Sequence, residues 1–476
     1  MHSTYAGCYR TSAVAAGDWR GLEKSVRACH EHATINRSSE RELAAAILLA
    51  QDIMIPFRLT ILAALLVSGK AFAQTREPFQ AEPPGPLLRS DVAGSRQHVG
   101  LDPSGIRVGG LIVQPSVTAR VEGDSNVLNR ATNKRGDVFV VLTPSINAAG
   151  GTEEASYVVR AQAAVSRFAS IASQNSETFG IEANGRLALT KKASLFARIA
   201  FDRRNEPRGQ AGETIVEGSP AEFDQIETQI AARAESGAVR LTASATATKR
   251  DYADITQADG KINDQAFRAT NAVALGLKAE YALRNGATLI AAGTLNQSES
   301  PQAPTCCDQS SKGGQLTAGV RAEVSNLISA EVTSGYVFRD YSSPVYKDFN
   351  GLVWQAKLDW YPTQLMSFSL SGGRKIVSSG IPAVAGIVVD SALFQFFYEV
   401  RRNLDVIGTF ARSHENYREI DTTANATVIG VEARYILSSR LAGGLYSRLR
   451  DRISSNPQQL QGGSGLEGGL WLRASM

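Results

Sequence analysis

The chain has 476 residues, with 50 Lys plus Arg against 46 Asp plus Glu, a formal net charge of +4, and 43% hydrophobic residues. So near a balance of charge excludes a dedicated nucleic-acid binder, which needs a strongly positive surface. A water-soluble chain of this length usually divides into domains, but no linker after residue 105 divides it.

The stretch MIPFRLTILAALLVSGKAFAQ, Met54 to Gln74, reads as a secretory signal peptide. Arg58 supplies the positive start, Leu59 to Gly69 the apolar core, and Ala71-Phe72-Ala73 the small-residue site, placing cleavage between Ala73 and Gln74. The apolar run is about half the roughly 20 residues of a membrane-spanning helix. A buried helix is the competing reading, since ERELAAAILLAQDI just upstream is also helix-like. Residues 1–53, with Cys8 and Cys29, precede the signal. They are expected to be a mis-assigned or disordered extension, with Met54 the true start; an unusually long leader is the alternative. Residues 74–104 are rich in Pro, Gly and polar residues and read as a flexible periplasmic tether.

From residue 105 to 476 the pattern has period two. In ASLFARIAF, Leu195, Ala197, Ile199 and Phe201 oppose Arg198. In VRLTASATATKR, Val239, Leu241, Ala243, Ala245 and Ala247 share one face, and Arg240, Thr242, Ser244, Thr246 and Thr248 the other. The same alternation marks Leu316 to Val324 and Leu352 to Trp360. Successive side chains of a strand point to opposite faces, so each segment is a strand with an apolar and a polar side. These strands exceed the usual 5–6 residues of soluble proteins. Long alternating strands behind an export signal predict a transmembrane antiparallel up-and-down β-barrel, because a sheet in lipid must close on itself to pair its backbone. A soluble sandwich or solenoid would show shorter strands or a fixed repeat.

Short turns are expected near 150 and at 190–194, 234–238, 283–287, 324–328, 362–366, 401–405 and 437–441. Longer polar loops, such as RRNEPRGQAGETIVEGSP and NQSESPQAPTCCDQSSKGG, lie between them. Short turns belong to the periplasmic side. With both ends of the barrel segment there, the count is 18 strands, with 16 as the fallback. Tyr281, Trp360, Tyr361, Tyr398 and Tyr435 precede short turns and predict a periplasmic aromatic girdle. Cys306 and Cys307 sit together in a polar loop. With no other metal-ligand spacing nearby, they read as an oxidised or idle pair, and neither metal nor cofactor is expected. The last strand turns Leu470, Leu472, Ala474 and Met476 outward, as the barrel-assembly machinery requires of its partners.

GIRVGGLIVQPSVTARVEGDSNVL (105–128) and GDVFVVLTPSINAAG (136–150) carry Gly109-Gly110, Pro115-Ser116, Asp124-Ser125-Asn126-Val127 and Thr143-Pro144. On these motifs the chain resembles the type 2 β-barrel porin family of Gram-negative outer membranes. The resemblance implies an outer-membrane barrel of 16–18 strands, sometimes associated with exopolysaccharide or capsule production, and brings no catalytic residues. Pro115 and Pro144 are expected at bulges or strand breaks.

Six successive downward strands carry a mixed-sign pair two residues apart: Arg233 and Glu235, Lys278 and Glu280, Arg321 and Glu323, Lys357 and Asp359, Glu399 and Arg401, Glu432 and Arg434. The spacing keeps each pair on one face, predicting a charged belt around the periplasmic end of the lumen. It would either stiffen the wall or tune ion selectivity. Arg160, Arg186, Arg198, Arg240 and Arg448 suggest an additional basic stripe for anionic solutes. Of five histidines only His414 falls in the barrel, with no nucleophile motif beside it, so no enzyme is expected. The leading reading is a passive channel for small hydrophilic solutes or a polysaccharide, set in outer-membrane lipid and lipopolysaccharide, with no nucleic-acid partner. The alternative is a non-conducting barrel that serves as a receptor or scaffold.

Overall fold

The computed structural model describes residue 98 and residues 100–476, apart from 214–217, 258–259, 285 and 304–307. The signal segment with Ala73 and Gln74, residues 1–53, most of the tether, and Cys306 and Cys307 lie outside the described residues.

Eighteen long strands form one antiparallel barrel. They are β1 (Leu111–Asp124), β2 (Asp137–Gly151), β3 (Ala155–Phe168), β4 (Ser176–Thr190), β5 (Ala193–Asn205), β6 (Glu222–Ser236), β7 (Val239–Tyr252), β8 (Thr270–Ala282) and β9 (Ala287–Glu299). The second half comprises β10 (Ser311–Ser325), β11 (Ile328–Tyr341), β12 (Phe349–Thr363), β13 (Met366–Ser378), β14 (Gly386–Arg401), β15 (Leu404–Tyr417), β16 (Thr422–Ser438), β17 (Leu441–Ser454) and β18 (Gly463–Ser475). Each strand pairs with the next, and β1 pairs with β18 from Ser116↔Ser475 to Asp124↔Glu467, which closes the ring. The eight short turns fall where the sequence places them, and the longer connections gather at the other end. No helix among the described residues is long and apolar enough to cross a membrane; the strands do the crossing.

Burial is inverted relative to a soluble protein. In β7 Leu241 is 45% exposed while Thr242 is 3% exposed. Leu275, Leu277, Leu316, Leu352 and Leu470 are likewise exposed, each more than half. Lipid covers such a surface at no hydrophobic cost, and the polar faces turn into the lumen.

Pro115 makes no bulge or break, contrary to the expectation from sequence, whereas Pro144 lies in a two-residue gap of the β2–β3 ladder. The β1–β2 ladder runs without a register shift through Pro115↔Ile146 and Val117↔Pro144. The Pro115 carbonyl accepts from the Met476 amide, so its missing N–H faces the point where β18 ends. Pro144 removes a donor on the β3 side, where the ladder passes from Leu142↔Val165 to Ser145↔Gln162 in unchanged register. Pro115 thus stands at the edge of the β18 ladder, and at Pro144 the missing donor coincides with a local lapse of pairing that leaves the register intact. Gly109 (φ +59) makes the tight turn from a short leading strand, Ile106–Val108, into β1, a conformation that glycine adopts freely.

One seam is incomplete. The β12–β13 ladder runs from Thr363↔Met366 only to Gln355↔Gly373. Above it the two strands meet through side chains, with Ile376 buried among Val337, Phe349 and Val353. On the outer surface below it, Trp360, Phe368, Phe394, Phe396 and Tyr398 stack in a row, with ring centroids 5.1–6.5 Å apart.

Candidate functional site

The candidate site is the lumen. At its periplasmic end the inward charges meet across neighbouring strands. Glu235, Arg240 and Glu280 are direct ladder partners on β6, β7 and β8. Arg240 Nε lies 2.7 Å from Glu235 and its Nη1 3.9 Å from Glu280. Glu280 also holds Lys278 Nζ at 3.4 Å and, reaching past β9, Arg321 Nη1 at 3.0 Å. Arg321 Nε then bonds Glu331 on β11 at 2.6 Å. Glu331 is the ladder partner of Lys357 on β12, whose Nζ lies 2.8 Å from Asp359. An arc of alternating charge thus follows the wall over seven consecutive strands.

The remaining belt candidates are held differently. Arg434 on β16 reaches back to its ladder partner on β15, its Nε donating to Asp405 at 2.9 Å. Glu432 accepts from Trp471 Nε1 at 3.1 Å. Arg233 stacks 4.9 Å over the Phe196 ring. Glu323 is exposed near the end of β10, beside a register shift between Glu323 and Ser325. Glu399 is buried, and His98 Nε2 lies 3.2 Å from it. Arg401, beyond a register shift in the β14–β15 ladder, is exposed. His98, which the sequence assigns to the tether, therefore touches the barrel wall at Glu399.

The proposed basic stripe is not bare. Arg160 and Arg198 share Glu182 at 3.2 and 2.7 Å, and Arg448 lies 3.6 Å from Glu467. Arg186 donates to the Glu153 carbonyl at 3.2 Å. Carboxylates on adjacent strands neutralise most of these cations, which leaves little free positive potential. Among the girdle residues, Tyr281, Trp360 and Tyr435 are exposed to the surroundings of the barrel, 44–49%. Tyr398 and Tyr361 are partly buried; Tyr361 follows Trp360 directly, within a register shift, and adjacent strand residues face opposite ways.

The outer end is built from loops. The connection from β5 to β6 leaves its own rim tied by Arg268, which donates to Glu206 at 3.1 Å and stacks 3.9 Å over Tyr252. Arg208 donates to the Gly218 carbonyl at 2.9 Å and pairs with Glu213 at 3.2 Å. The segment then reaches the opposite wall. The Gly380 amide donates to the Gly212 carbonyl at 2.8 Å, and the Gly212 amide lies 3.4 Å from the Tyr417 hydroxyl. Ala211 packs on a core of Val377, Val384, Ile387, Val389, Tyr417, Ala424 and Leu460. Tyr417 donates to Glu415 at 2.9 Å and accepts from Arg452 at 2.9 Å, and all three are buried. Burial pushes the Glu213 carboxyl above its ordinary range, against the pull of Arg208 and the Gly209 amide.

His414 Nδ1 lies 3.1 Å from Asn425 Oδ1 on an exposed site. Among the described residues no three His, Cys, Asp or Glu side chains are grouped to hold a metal ion.

The family described as "Putative beta-barrel porin 2" matches residues 100–461. The chain belongs to that family. A porin-like barrel of this kind is an outer-membrane protein. No curated protein sequence matches the chain. Among solved structures, OccAB3 of Acinetobacter baumannii is 11% identical over 78% of this chain and 100% of its own, with a TM-score of 0.41. OccK2 (OpdF) of Pseudomonas aeruginosa is 10% identical over 76% and 97%, with a TM-score of 0.42. The siderophore receptor PirA from Acinetobacter baumannii is 8% identical over 76% and 80%, with a TM-score of 0.40.

In this β-barrel porin, sequence reasoning missed Glu331 and Asp405, which lie on upward strands, and Glu182, on a downward strand ahead of the six that carry the pairs. A search for inward carboxylates opposite each inward cation finds them, since ladder partners share a face. The contacts of the 206–213 segment with Tyr417 and Gly380 have no such local signal.

Proposed function

We propose that this protein is a passive aqueous channel for small hydrophilic solutes, exported by its signal peptide to the outer membrane of a Gram-negative cell. The observation that carries this reading is the charged, inward-facing wall of an 18-stranded ring, a width that leaves room for water between the side chains. On this reading the belt of Arg240, Glu280, Arg321 and Glu331 is a ring of fixed charge past which ions move, and it tunes selectivity. The protein performs no catalysis. Its environment is lipopolysaccharide and outer-membrane lipid, and the barrel-assembly machinery inserts it. The exopolysaccharide association implied by the family resemblance extends the proposal to an accessory role in polysaccharide export.

A second reading, a non-conducting receptor or scaffold, is favoured by the loop that crosses the outer end and by His98 seated at Glu399. Planar-bilayer recording separates the two. Stable ohmic steps support the channel, and silence of correctly folded protein supports the scaffold. The selectivity role is tested by the reversal potential of Arg321→Ala and Lys357→Ala, and an unchanged cation/anion preference removes it. Export is tested by sequencing the mature N-terminus, expected to begin at Gln74.

A further inference from the structure

Above the incomplete seam the wall overlaps itself. Val337, Phe349 and Val353 share the inward face of Glu331, Lys357 and Asp359, whereas Ile376 and Val388 have the outward parity of Leu370 and Phe394. These two sets pack together. A Cβ on Gly386, again of outward parity, would stand 2.7 Å from the hydroxyl of the inward Tyr341. The upper end of β13 therefore lies on the lumen side of β12. It leaves β12 with an edge, Phe349 to Trp354, that has no ladder partner on the β13 side among the described residues. An unpaired backbone edge is costly beside lipid.

The outward face changes at the same place. On β12 it stays apolar through Trp360, Leu358, Ala356, Trp354 and Leu352. On β13 it is apolar to Leu370 and continues as Gly372 and Arg374; on β15 it is apolar to Phe410 and continues as Arg412 and His414. One step on from Ala356↔Gly372, Arg374 stands level with Trp354, inside the apolar band of β12. The ladder sets Arg374, Asp390 and His414 in one row, with Arg412 one step below. Asp390 holds two Arg374 nitrogens at 2.8 Å. Arg412 is exposed and has no ion pair among the described residues. An arginine that faces lipid is costly unless an anion meets it.

Phosphate oxygens relieve both costs, since they accept from a guanidinium and from free backbone N–H groups. With neighbouring strands ~4.8 Å apart, Arg412 on β15 stands roughly 14 Å from the β12 edge, too far for one phosphate to serve both. We propose that this notch in the outer wall binds a bisphosphorylated lipid of the outer leaflet. One phosphate sits on Arg412 and the other on the free edge of β12. An acyl chain lies along the Trp354 ring, whose atoms come within 3.4 Å of where a Gly372 Cβ would stand. The site rests on the outer-membrane placement of the barrel and not on the channel reading.

The test uses the barrel refolded in detergent and checked for the heat-modifiable migration of a folded barrel. It is incubated with bisphosphorylated lipid A, monophosphorylated lipid A or phosphatidylcholine, and native mass spectrometry counts the lipid retained. Wild type is expected to keep one bisphosphorylated lipid A and to hold the other two about ten-fold less. Arg412→Ala should lower retention of the bisphosphorylated lipid by about ten-fold, the loss of a charge-assisted hydrogen bond, and Trp354→Ala by less. Lys249→Ala removes an outward cation of β7, on the far side of the ring, where Lys249 lies 3.0 Å from Asp251. It should retain the lipid as wild type does. No lipid on wild type, equal retention of the three lipids, or undiminished retention in Arg412→Ala overturns the proposal, as does an equal loss in Lys249→Ala. If Arg412→Ala does not fold, Arg412→Gln decides, since it keeps most of the stem and removes the charge.

Discussion

At the periplasmic end of the lumen, Glu280 meets Arg240, Lys278 and Arg321, all within two strands of it on the wall. At the outer end, Gly212 meets Tyr417 and Gly380 from the other side of the ring. The first arrangement needs only strand register, because ladder partners share a face. The second needs several loops to fold together around an apolar core, as in a small soluble domain. The contrast separates two kinds of construction: the wall carries its charges in register, and the loops form a separately folded layer at the outer end. Changes at one end should therefore be felt differently from changes at the other.

The sharpest break in that comparison is Glu415→Ala. It strands Arg452, which is 5% exposed, without its carboxylate, and a buried charge left unpaired costs about 3–5 kcal/mol. Urea unfolding of vesicle-embedded protein measures the loss. Glu280→Ala at the other end should cost less, about 1–2 kcal/mol, because Arg240 keeps Glu235 and Arg321 keeps Glu331 although Glu280 itself is buried. Its main effect should be a shift toward anion preference in reversal potential. Equal costs for the two variants would erase the distinction between the ends.

Glu213 supplies a pH test of the outer end. A carboxyl whose value is raised by burial stabilises the docked loop while protonated. That contribution is complete below the ordinary value of 4.5 and is lost as pH rises through the raised value. Single-channel noise should grow over that window in the wild type and stay flat in Glu213→Gln; the same pH dependence in both would show that Glu213 is not involved. The smallest effect belongs to Glu399→Gln, which removes the charge facing His98. It should speed amide exchange at Leu101 and Asp102, which donate to the His98 carbonyl, as a local opening. Unchanged exchange at those amides would mean that Glu399 does not hold the segment.

The strand number and turn positions were legible because period-two alternation and short polar turns are local. The inward cations were legible for the same reason. Their partners were half visible: Glu331 and Asp405 follow from register, which a sequence does not print but a barrel enforces. Pro115 misled, since its missing donor faces the point where β18 ends, whereas Pro144 does coincide with a gap in the β2–β3 ladder. The docking of Gly212 at Tyr417 was invisible, because it joins residues 205 positions apart through a loop with no periodicity. The contact of His98 with Glu399 was not legible, because polar composition alone does not say what a short segment rests against.

The incomplete seam between β12 and β13 has a mechanical consequence. A fully laddered ring resists widening, because any stretch parts backbone hydrogen bonds around its circumference. Above Gln355↔Gly373 widening parts no ladder bond, only the contacts of Ile376 with Val337, Phe349 and Val353 and loop bonds such as Tyr346 to the Pro382 carbonyl. Dispersion contacts yield gradually, whereas hydrogen bonds fail steeply with distance and angle. The outer rim is therefore most compliant at this one place, while the stacked rings from Trp360 to Tyr398 splint the wall beneath it.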